Sequence, residues 1–144
     1  MYAQTLSRSA AAAIRTYVIL GEMSDKALNT ATFMERVNDM FDNCNGTSPD
    51  APERKAALTR ENMTYKIASM RTDAAWMDDW RFFNRITNKQ TNRHTFHIGW
   101  QVSLHSMALL SQQLINIGFL FVPLRRLGQD HIENMFCCVR GKNG

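Results

Sequence analysis

The sequence predicts a mainly α fold with one short extended segment near its end. Three observations carry this. Proline (3) and glycine (7) are sparse among 144 residues, while methionine (9) is abundant and the first segment is rich in alanine. Apolar residues step by three and four through several segments, the period of a helix face. A single stretch, residues 119–127 ("FLFVPLRRL"), is too short and too β-rich for a helix, and Pro123 suits an extended crossing or an edge strand.

The elements follow in order. Residues 2–20 read as a first helix with Leu6, Ala10, Ala13 or Ile14, and Tyr17 or Val18 on one face, and Gly21 is placed as its stop. Residues 30–46 read as a second, N-capped by Thr30 or Thr32, with Glu35 as the capping-box partner of Thr32. Its expected buried stripe is Phe33, Val37, Met40, Phe41 and Cys44, and Asn45-Gly46 ends it. The prolines of residues 47–55 ("TSPDAPERK") mark a loop. A third helix is expected from Thr59, through Met63, Ile67 and Met70. Residues 73–86 form a fourth helix or a kinked continuation, with Trp76, Trp80 and Phe83 at i, i+4, i+7. Residues 87–95 are polar and loop-like, and His94 and His97 within and beside them read as ordinary polar residues. Residues 99–118 are a strong amphipathic helix stopped by Gly118, and residues 129–140 return to helix.

A chain of 144 residues has the size of one domain and buries roughly two-thirds of its unfolded surface. With 44% hydrophobic and 21% charged residues it is globular in composition. The net charge of +4 permits an acidic partner, but no helix shows the dense basic face of a nucleic-acid reader. Three cysteines, two of them adjacent (Cys137, Cys138), make no disulfide framework and fit a reducing compartment. Arg8 and Arg15 interrupt the first apolar stretch, so no signal peptide is expected. No run spans a bilayer, so no membrane partner is expected.

The closing stretch "RRLGQDHIENMFCCVRGKNG" concentrates chemistry. On a helix, Ile132, Met135, Phe136 and Val139 share one face, and Asp130, Glu133, Cys137 and Arg140 line an adjacent one. Two readings of the carboxylates stand side by side. Asp130 and Glu133 support a helix N-terminus against its dipole, or they ligate a hard cation such as Mg²⁺ together with acidic residues from other elements. Trp76, Trp80 and Trp100 either pack in the core or stack on a base. No P-loop pattern occurs.

Those closing residues resemble the C-terminal block of P-element-type transposases, including the THAP-domain transposases. The family pattern there is approximately Leu-x-Gln-Asp-x-Leu-Glu-x-Phe-Phe-x-x-Ile-Arg-x-x-Gly-Gly. Leu127, Gln129, Asp130, Ile132, Glu133, Met135, Phe136, Val139, Arg140 and Gly144 match it. "AQTLSRSAAAAI" is similar to a second family block. "TATFMERVNDMFDNCN" is similar to a third and keeps Thr30, Phe33, Asn38, Phe41, Asp42 and Asn45. "FHIGWQVSLHSMALL" looks like the helix before the C-terminal block.

The resemblance implies an RNase H-like catalytic fold, with two Asp and one Glu binding Mg²⁺ for DNA cleavage and joining. A helical GTP-binding domain is inserted before the final Glu. Residues 1–118 would then be the insertion domain. Residues 119–144 would be the returning segment of an incomplete RNase H-like domain, Glu133 its metal-binding glutamate and Asp130 its neighbour at the junction. The strands bearing both catalytic Asp and the zinc-binding DNA domain have no counterpart in the sequence, so the chain is expected not to be an enzyme by itself. GTP is the expected ligand, its phosphates meeting Lys66, Arg71, Lys89 and Arg93 and its guanine amine meeting Asp130. Transposon DNA and full-length transposase are the expected partners, in the nucleus or cytoplasm. The rival expectation is a helical interaction module that self-associates, or pairs with another chain, through residues 119–124.

Overall fold

The computed structural model describes residues 6–91 and 94–128. The predicted closing helix, with Asp130, Glu133 and the Cys137-Cys138 pair, lies outside them. The fold is mainly α, as expected, and the chain divides into two compact units between Asp42 and Asn43.

In the first unit, α1 spans Arg8–Ile19. The expected start at Tyr2 lies outside the described residues. Within them the helix begins at Arg8 because Ser7 is extended and its hydroxyl accepts the Ala10 N–H at 3.2 Å, a side-chain N-cap. Gly21 terminates it as predicted. At φ +75° it directs its own N–H to the Val18 carbonyl and the Glu22 N–H to the Tyr17 carbonyl, each at 3.0 Å, the two reversed bonds of a Schellman turn.

Helix α2 spans Ala27–Cys44 and starts about a turn before the predicted cap. The carbonyls of Ser24 and Asp25 accept the Ala27 and Leu28 N–H groups at 2.8 and 3.0 Å, so Thr30 and Thr32 lie inside the helix. Thr32 and Glu35 do not form a capping box; both accept from Arg15 of α1. The predicted stripe is also corrected. Phe33 and Phe41 are exposed, and the buried residues of α2 are Ala31, Met34, Met40, Asn43 and Cys44. Ala31 and Met34 pack with Ala10, Ala11 and Ile14 of α1. The alanines among them let the two helices approach closely.

The second unit is built on α3 (Met63–Asp78) and α4 (Thr95–Asn116). Their facing stripes bury Ile67, Met70, Ala74 and Met77 on one side and His97, Leu104, Ala108, Ser111 and Ile115 on the other. The third helix begins at Met63, not Thr59, because Leu58–Thr59 is strand β1. The cap-like signal was real, however: Thr59 donates its N–H to Asn62 Oδ1 at 2.8 Å and its hydroxyl accepts the Asn62 N–H at 3.4 Å. No separate fourth helix follows. Helix α3 runs on through Trp76 to Asp78, and Phe83 instead pairs across a loop with Gln90.

Helix α4 starts four residues before the predicted Gly99, and Gly118 (φ +109°) closes it with a second Schellman turn. Phe121–Val122 is strand β2, an extended segment as predicted, and it pairs antiparallel with β1 in the register Leu58 to Val122 and Thr59 to Phe121. A 3-10 turn, Leu124–Leu127, closes the described chain with Leu124 fully buried. The 58–122 ladder therefore joins residues on either side of position 118. Among the described residues no helix is long and apolar enough to cross a membrane.

Candidate functional site

Lys66, expected to meet phosphate, is only 1% exposed. It projects from α3 into the second unit, where its ammonium donates to Asn43 Oδ1 at 2.9 Å and to the Arg54 carbonyl at 3.1 Å. Burial pushes its pKa down, which is the cost of holding a charge there, and two acceptors offset that cost. Beside it, burial followed by the charge of Asp73 pushes the Cys44 thiol up to about 12, so this cysteine is an inert packing group. Within the second unit, Lys66 thus fastens Asn43 and the 3-10 turn Glu53–Lys55 to α3.

Arg71 on α3 and Lys89 in the loop after it are exposed, while Arg93, Asp130 and Glu133 lie outside the described residues. Two shallow grooves along α4, of about 310 and 390 Å³, are lined by no lysine or arginine. Among the described residues no three His, Cys, Asp or Glu side chains come together as a metal site.

The aromatic residues do cluster. Trp76 and Trp80 meet edge-on with ring centroids 5.0 Å apart. Phe82 then contacts Trp80, His94, Phe96 and His97 at 4.8–6.2 Å. His97 corrects the reading of an ordinary polar residue. It is fully buried in the first turn of α4, and its Nε2 lies 2.6 Å from the Met77 carbonyl, so that nitrogen carries the proton. Two histidines three apart gave no sign of this, because the loop assigned to them hid the start of α4.

In the first unit, two ion pairs join α1 to α2. Arg8 donates to Asp39 at 2.5 and 2.9 Å, and Arg15 donates to both oxygens of Glu35 at 3.0 and 2.7 Å. One turn further along α2, Asn38 Nδ2 donates to Asp42 Oδ2 at 3.1 Å and fixes that carboxylate, and the preceding residue, Phe41, is exposed. Hydrophobic periodicity missed this pair because it assigned Phe41 to the core. Asn38 and Asp42 at i, i+4 on one helix face are the signal that could have found it.

Comparison with known proteins bears on these residues. The family described as "TNP-like, GTP-binding insertion domain" matches residues 1–57. No curated protein sequence matches the chain. Among solved structures, a chain of the Drosophila P element transposase strand transfer complex superposes with a TM-score of 0.74 at 24% identity, over 99% of this chain. The chain spans 31% of that one. The likeness shows a shared fold.

Proposed function

We propose that this chain is the guanine-nucleotide-binding insertion domain of a P-element-type transposase, and that its direct activity is binding GTP. The match of residues 1–57 to a GTP-binding insertion domain carries the reading. The shared fold supports its extension over the rest of the chain.

We also look for the site within the matched segment. Lys66, Arg71, Lys89, Arg93 and Asp130 all fall outside residues 1–57, whereas Phe41 and Asp42 fall inside. We place the guanine against them: the Phe41 ring offers a stacking face, and the Asp42 carboxylate, steadied by Asn38, accepts from the 2-amine and N1–H of guanine. Adenine lacks that donor pair, so the carboxylate would select against it. In a longer chain of this type, Glu133 would be the last acidic residue of a Mg²⁺-dependent DNA-cleaving centre, with Asp130 beside it. The 144 residues alone would cleave nothing, and transposon DNA and full-length transposase would be partners of the longer assembly.

Calorimetric titration of the chain with GTP, ATP and ITP tests this. Saturable GTP binding, weaker ITP binding and no ATP binding are expected. Asp42→Asn should weaken GTP at least tenfold and improve binding of the xanthine nucleotide, whose ring presents an oxygen where guanine has its amine. A folded chain that ignores GTP would overturn the reading. Unchanged GTP affinity in Asp42→Asn would overturn the site alone.

A further inference from the structure

We draw no further inference here: the strongest candidate, the loop between α3 and α4 that exposes Arg85, Ile86 and Lys89 above the bridge from Phe83 to Gln90, fits a nucleic-acid backbone and so restates the contact with DNA that is established for P-element-type transposases.

Discussion

Arg15 shows what one side chain can decide and how far a sequence discloses it. Glu35 was expected to close a capping box at the start of α2, since a Thr three residues ahead of a Glu is the usual sign. The structure gives both residues to Arg15, twenty positions away from Glu35 and on another helix. A long-range guanidinium fork outcompetes a local cap, and nothing in the local pattern announces it. The hydrogen bond from Arg15, ahead of its charge, holds the Glu35 carboxyl below its ordinary value of 4.5. A depressed carboxyl pKa contributes stability above the unfolded value that is lost as pH falls through the folded one. Arg15→Met should therefore be destabilised relative to the parent at pH 7, and the gap in urea midpoint should shrink as the pH drops below about 4. An equal gap at pH 7 and pH 3 would mean that the guanidinium acts through packing or Thr32, not through Glu35. Lys66 teaches the complementary lesson. Composition marks a lysine as a surface cation, and only the fold shows Asn43 and a loop carbonyl waiting for it inside.

At the scale of elements, helix ends that rely on glycine were legible and helix starts were not. Gly21 and Gly118 stop α1 and α4 where the sequence placed them, because a left-handed backbone after a helical run is a local demand that glycine meets. Starts depend on backbone carbonyls such as those of Ser24 and Asp25, or on a strand occupying the expected cap, as at Thr59. Gly46 is a different case. Its φ is not positive, but a Cβ there would stand 2.4 Å from the Ala56 carbonyl oxygen, and its own carbonyl accepts the Arg125 N–H at 3.1 Å. Gly118 has open space around it and only its dihedral to defend. Gly118→Ala should cost roughly 1–2 kcal/mol, the price of a left-handed alanine. Gly46→Ala should cost more, since two backbone segments must move apart. Both glycines lie in the second unit, so urea midpoints of one transition compare them directly. Equal losses would show that the loop yields without strain.

At the scale of the whole molecule, the mainly α class was legible from glycine and proline spacing and from periodicity. The division between Asp42 and Asn43 was not, because it falls within the unbroken run of α2. The family resemblance drew its line after residue 118, where α4 stops. Yet Val122 and Leu124, beyond that line, are 2% and 0% exposed in the second unit, and Val122 pairs with the fully buried Leu58 in the only ladder among the described residues. Burying two such aliphatic side chains is worth about 1.5–3 kcal/mol each. Their combined loss would approach the ~5 kcal/mol at the lower end of typical domain stability. Chains ending at Gly118 and at Gly128 differ only in residues 119–128, so comparing them isolates this contribution. The longer chain should melt cooperatively. The shorter should lose the second unit's transition and expose the tryptophans of that unit, read as a red shift in fluorescence. Matching melts would mean that the segment before the line folds without the strand that crosses it, and that an insertion domain ending at residue 118 is a physical unit as well as a pattern of resemblance.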